Sequence, residues 1–375
     1  MMADVPPLIK WPGGKTREIR YIKHLIPPYE RYIEPFFGGG AMFFYLRPQK
    51  AVINDISKDL TDLYSLIKEQ DLDFKRYLNA YCALFSGLLS ACDEHYGDIA
   101  SVYRQMKEKP ETIGEPAGLL PIIEQIVHAL DRCAMEDIVL DTDAYKEQLC
   151  ANTLDKMRRT IKNEQKEPFS DGDLKENLIT GLASGTYMYF RDIYNDILLG
   201  RDTRADKSYS SANFYFIREY CYGSMFRYNR KGEFNIPYGG MSYNRKDLRA
   251  KVDGIFSPST AELFAGTDIY CMDFEDLFSS IGPTENDFMF LDPPYDTDFS
   301  DYEGRAFTQK DQQRLAEALK KTKARFILII KNTDLIYPLY KVDLHILCFD
   351  KTYSYNVRSR NQRKAEHLIV TNMPV

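Results

Sequence analysis

One tryptophan, five histidines and seven cysteines leave this 375-residue chain little material for metal chemistry. The cysteines (Cys82, Cys92, Cys133, Cys150, Cys221, Cys271 and Cys348) are scattered, odd in number and never spaced as Cys-x-x-Cys. That pattern argues against a disulfide framework and against zinc, so no metal is expected and a reducing cytoplasm is the expected location. No uninterrupted apolar run approaches the length that crosses a bilayer, and no membrane partner is expected. The opening MMADVPPLIKWP lacks the basic and apolar regions of a signal peptide. A basic excess is missing too: the net charge of −6 argues against indiscriminate binding to polyanions.

What is present suits a folded protein of one large or two modest domains, with 44% hydrophobic and 13% aromatic residues, 27 of them tyrosine. Charge is unevenly placed. Residues 93–147 hold thirteen acids against five bases, whereas residues 224–251 hold seven bases (Arg227, Arg230, Lys231, Arg245, Lys246, Arg249, Lys251) against two acids. A second basic cluster, Lys351, Arg358, Arg360, Arg363 and Lys364, has no acid within it. Two such clusters in an acidic chain point to local contact with phosphate, although a solvated charged face is the plainer account of most charge runs.

Short apolar and β-branched runs recur at both ends: 32–37, 51–55, 268–274, 287–292, 325–332, 344–350 and 366–372. Continuous apolar strands separated by helical stretches predict an α/β, Rossmann-like fold with a mostly parallel sheet covered on both faces. The segment 308–322 predicts a helix, with Thr308 as N-cap and Leu315 and Leu319 on one face. From about 60 to 220 the pattern is helical and polar. The expected organisation is a discontinuous α/β domain, 1–60 and 250–375, interrupted by a helical insertion, 61–249.

Three motifs carry chemistry. WPGGKT (11–16) has Ile9 where a Walker A loop needs its first glycine, which excludes a P-loop. EPFFGGG (34–40) places glycines directly after a strand, but Phe43 stands where a dinucleotide fingerprint wants its third glycine. Asp55, ending the next strand, is placed to hold a ribose diol, so residues 32–55 read as a nucleoside site. LDPPY (291–295) is the most telling. Two prolines remove two donors and leave carbonyls to accept, Asp292 adds a carboxylate and Tyr295 a flat face. That set suits an aromatic amine, although a rigid turn after a core strand is the bland alternative.

In this order the motifs resemble the Dam-type (D12 class, alpha group) DNA adenine-N6 methyltransferases. KWPGGK (10–15), EPFFGGG, INDIS (53–57), MFRYNRKGEFNIPYGG (225–240), LDPPY, FTQKDQQRLAEAL (307–319) and RNQRKAEHLIVTN (360–372) carry the resemblance. The resemblance implies a class I S-adenosylmethionine-dependent methyltransferase fold (Rossmann-like) that methylates a flipped adenine in double-stranded DNA, with residues 61–249 as the target-recognition region and its hairpin at about 222–245. S-adenosylmethionine, leaving as S-adenosylhomocysteine, would be held by Trp11, Lys15, Phe36, Gly38, Gly40, Asp55, Asp273, Phe274 and Asp292. Asp292, Pro293, Pro294 and Tyr295 would form the catalytic loop. DNA contacts would fall to Arg227, Asn229, Arg230, Lys231, Asn235, Pro237, Arg245, Arg358 and Arg360, with Arg227 the candidate base reader. A monomer is expected, and no covalent intermediate or metal is needed.

The chain departs from the family in two places. Tyr222–Gly223–Ser224 stand near the position of an Asn-Gly pair common in Dam enzymes, and residues 85–180 have no counterpart among the matched motifs. GATC is thus only a first candidate target. Cytosine N4, RNA adenine, or a DNA-binding accessory role with a vestigial pocket are the competing functions.

Overall fold

Seven strands assemble into one sheet in the order β3-β2-β1-β4-β7-β9-β8 in a computed structural model of the chain. It describes residues 5–14, 18–108, 118–203, 205–295, 301–302, 305–352 and 364–374. The strands are β1 (Arg31–Glu34), β2 (Ala51–Asn54), β3 (Thr267–Tyr270), β4 (Asp287–Leu291), β7 (Arg325–Lys331), β8 (His345–Thr352) and β9 (Lys364–Thr371). A separate two-stranded ribbon pairs β5 (Asp301–Tyr302) with β6 (Arg305–Ala306). Each of the seven apolar runs in the sequence becomes a strand. β1, β2, β3, β4 and β7 are mutually parallel; β9 runs antiparallel to both β7 and β8.

Burial explains why those runs lack polar alternation. All five residues of β4 and the five central residues of β7 are buried, as a sheet covered on both faces requires. Met289, Leu291, Phe326, Leu328, Leu368 and Val370 share a core with Leu315 and Leu319 of the helix Gln309–Lys321. That helix begins where the sequence places it. The Thr308 hydroxyl accepts from the Asp311 N–H and the Asp311 side chain reaches back, a capping box that satisfies two otherwise orphaned donors.

Two compact units divide the chain, residues 1–69 with 257–375 and residues 70–256. The first holds the sheet. The second is helical, built chiefly on Leu72–Glu94, Thr142–Glu164, Asp171–Leu198 and Lys207–Tyr220. Part of its acidity has a local cause: Asp71, Asp131, Asp141, Asp206 and Asp247 each cap a helix N-terminus, where a carboxylate is favoured. Thr142–Glu164 and Asp171–Leu198 approach closely because Gly181 and Gly185 have no side chain. A Cβ on either would sit 2.8 Å from the backbone of the facing helix.

Candidate active site

The strand order reverses between β1 and β4, and ligands of open α/β sheets bind at the carboxyl ends beside such a reversal. The chain segments leaving β1, β2, β3 and β4 there enclose a cavity of about 410 Å3. From the first come Phe36, Gly38 and Gly40, from the second Asp55, from the third Asp273 and Phe274, and from the fourth Asp292, Pro293, Pro294 and Tyr295. Trp11 lines it as well. Every described residue expected at the cofactor or in the catalytic loop thus meets in one cavity. Lys15, Arg358 and Arg360 lie outside the described residues.

Sequence chemistry accounts for the loop after β1. Gly38 and Gly40 adopt φ of +51° and +65°, which side chains disfavour. A Cβ on Gly38 would meet the Trp11 ring at 2.8 Å, and one on Gly40 the Phe37 ring at 2.4 Å. Phe43, the residue that breaks the dinucleotide pattern, is wholly buried and packs on Tyr32, Phe37 and Phe264. Its bulk fills core space beneath the loop.

Asp55 is bound to that loop. Its carboxylate accepts from the Gly38 N–H at 2.9 Å and from the Ser57 N–H at 3.0 Å. Burial raises its pKa, and those N–H groups oppose the rise. Glu34, 2% exposed, also lines the cavity and takes the Tyr32 hydroxyl at 2.7 Å. Burial pushes its pKa well above the ordinary carboxylate range, with the charges of Asp292 and Asp55 adding to the effect.

Asp273 is more committed than its motif implies. It caps the helix Phe274–Ile281 through the Glu275 N–H at 2.9 Å and receives Arg314 at 2.7 Å. Arg314 also binds Glu275 and Asp311 and lies 4.9 Å from the Phe274 ring centroid. Phe36, Phe274 and Phe307 form an aromatic cluster with centroid separations of 5.6 to 6.0 Å. At the other end the Tyr295 ring meets buried His367 edge-on at 5.4 Å.

Sequence reasoning missed several of these. Asn54 joins three segments: its amide donates to the Pro35 and Met272 carbonyls at 2.9 and 3.0 Å and accepts from the Met272 N–H. A polar residue ending an apolar strand was the available signal. Phe307, Arg314 and Gln312 lie within FTQKDQQRLAEAL, where the sequence alone distinguishes none of them. Glu34 and His367 lie within EPFFGGG and RNQRKAEHLIVTN, where the sequence assigns neither a role.

In the second unit, residues 221–238 form an irregular hairpin with bridges Cys221↔Tyr238 and Tyr228↔Phe234. Asn195 pairs with the backbone of Phe234 through both its amide atoms, and buried Arg218 binds the carbonyls of Ser224 and Met225. Arg227, Arg230, Lys231 and Pro237 are exposed. Arg227 gives its Nε to Asn235 at 2.9 Å. Asn229 closes the turn, accepting from the N–H groups of Lys231 and Glu233. Arg245 is paired at home with Glu176 at 2.5 Å and Asp93 at 3.5 Å, and Lys246 and Lys251 with buried Glu219. The basic run is therefore partly self-neutralised.

A mostly parallel sheet of this order, with β9 antiparallel and a nucleoside-sized cavity at its reversal, defines the class I methyltransferase fold. The chain belongs to the D12 class of N6 adenine-specific DNA methyltransferases, which matches residues 11–123 and 141–355. It is similar to the type II methyltransferase M1.LlaDCHI of Lactococcus lactis subsp. cremoris, 23% identical over 381 residues, covering 98% of this chain and 96% of the relative. It is likewise similar to M.CviBI of Paramecium bursaria Chlorella virus NC1A, 24% identical over 373 residues, with 98% and 99% coverage. A DNA adenine methylase of Salmonella typhi is 22% identical over 377 residues, with 98% and 95% coverage. The family match also corrects the expectation for residues 85–180: it spans them except between 123 and 141. The protein is an enzyme that methylates adenine N6 in DNA. Among the described residues no helix is long and apolar enough to cross a membrane.

Proposed function

We propose that the methyl donor is S-adenosylmethionine, held in the cavity at the carboxyl edge of the sheet, and that the adenine is flipped out of duplex DNA to reach it. The observation that carries this is the meeting of a glycine loop, two strand-end carboxylates, an aromatic cluster and the Asp292–Tyr295 loop in one space. Its volume and mixed lining fit a nucleoside-sized ligand. Trp11, Phe36, Gly38, Gly40 and Asp55 would hold the cofactor, Asp55 with the lone pairs left by Gly38 and Ser57. Asp273 and Phe274 would bound its adenine, and Lys15 its carboxylate. When bound, the cofactor supplies an electrophilic sulfonium methyl and leaves as S-adenosylhomocysteine.

The adenine N6 lone pair is delocalised into the ring and is a poor nucleophile. The Asp292 carboxylate and the Pro293 carbonyl accept its two N–H bonds and draw the nitrogen toward tetrahedral geometry, and the proton shed once the N–CH3 bond has formed passes by way of Asp292 to solvent. Neither Pro293 nor Pro294 has an N–H to compete, and fixed acceptors need no reorganisation during reaction. Tyr295, braced by His367, stacks on the extruded base. Arg227 reads a base, its orientation preset by Asn235; Arg230 and Lys231 contact phosphate, with Arg358 and Arg360 as further candidates. Asn229, Pro237 and Arg245 shape or brace the hairpin. The enzyme acts as a monomer in a reducing cytoplasm, where the exposed Cys133, Cys271 and Cys348 stay thiols. Calorimetric titration with S-adenosylhomocysteine tests the cofactor assignment: saturable binding lost in Asp55→Ala supports it, and no binding by the parent protein refutes it.

A further inference from the structure

The catalytic loop ends against the helix Gln309–Lys321, and Gln312 is where the two meet. We propose that Gln312 is a positioning residue for methyl transfer: it holds the Pro294 carbonyl, so that Tyr295 is aimed and only Pro293 and Asp292 are left to accept from the target amine. This rests on the roles given above to Asp292 and Pro293. Gln312 is wholly buried, and its Nε2 donates to the Pro294 carbonyl at 2.9 Å. Its place in the helix is set by the cap, because its own N–H bonds the Thr308 carbonyl at 3.0 Å.

Geometry gives this one bond leverage. The proline rings fix φ at 293 and 294, leaving ψ as the soft torsion at each position. Seizing the Pro294 carbonyl fixes the ψ that sets the direction of Tyr295. It also removes that carbonyl from competition for the substrate. One backbone carbonyl and one carboxylate remain, two acceptors for the two N–H groups of an exocyclic amine. The other end of the amide shows what the residue is not for. Its Oε1 is buried and has no hydrogen-bond partner among the described residues, a liability to folding. An apolar side chain of equal length would suit the core better; what the amide adds is its donor to the loop.

Gln312→Met tests this by removing the donor and the orphaned oxygen together. The expected variant melts at or above the parent temperature, keeps KM for S-adenosylmethionine within about twofold and loses kcat by about 100-fold, the scale of a small misplacement at the reacting atoms. Unchanged kcat overturns the proposal, as does a lowered melting temperature with matching changes in KM and kcat, the mark of a merely structural residue. If the methionine variant does not fold, Gln312→Glu replaces it. Its carboxyl donates only while protonated, so its kcat relative to the parent falls from acidic to alkaline buffer; a ratio of one throughout overturns the proposal. Asp292→Ala in parallel separates the two layers. If it stays active, the loop assignment itself fails, whereas an inactive Asp292→Ala beside a fully active Gln312→Met sinks only the role of Gln312.

Discussion

Glu34 lines the cavity with 2% of its surface exposed and a pKa driven up by burial. A carboxyl whose folded pKa lies above its unfolded value gives stability that is fully present below the ordinary carboxylate range. That stability is lost as pH rises toward the folded pKa. Glu34→Gln removes this titration while the Tyr32 hydroxyl can turn to accept from the amide. The melting temperature of the variant minus that of the parent is therefore expected to grow with pH, measured without cofactor. Parallel curves would show that Glu34 is not held protonated. Arg227 and Lys231 differ at the same scale. With its Nε given to Asn235, Arg227 presents its two terminal nitrogens, the pair that suits guanine O6 and N7. Arg227→Ala should relax one base position of the target, a loss of about 1–3 kcal/mol in discrimination. Lys231→Ala should weaken all DNA alike; equal losses for Arg227→Ala on cognate and altered sites contradict the assignment. Chemistry-bearing residues in motifs, such as Asp55 and Asp292, were legible because their spacing from strand ends is short. Asn54, Gln312 and His367 were not, because each acts through contacts with residues distant in sequence.

Elements were easier to read than their partners. Continuous apolar runs located all seven strands of the sheet, and the Thr308 capping box marked the helix start. The reversed direction of β9 was invisible, because β7 and β9 are equally apolar and pairing direction leaves no trace in composition. The close packing of Thr142–Glu164 on Asp171–Leu198 was also hidden, since a glycine within a helix reads as a weak spot until its neighbour is seen. Gly185→Ala is expected to force these helices apart and lower stability by about 1–3 kcal/mol despite the better helix propensity of alanine. Urea denaturation measures it; a variant as stable as the parent would show that the interface yields without cost.

At the scale of the whole molecule, one chain combines a methyltransferase sheet with a helical unit that interrupts it between residues 69 and 257. Part of that unit's acidity is spent on helix caps and on neutralising Arg245, Lys246 and Lys251. Asp292 and its loop, as proposed, direct methyl transfer to adenine N6 at one DNA sequence. Expression in cells lacking adenine methylation, followed by single-molecule sequencing of their DNA, tests this most directly, with Asp292→Ala in parallel. N6-methyladenine is expected at a single sequence motif in the parent and at none in the variant. Adenine unmodified by the parent protein, or methylation persisting in Asp292→Ala, would contradict it.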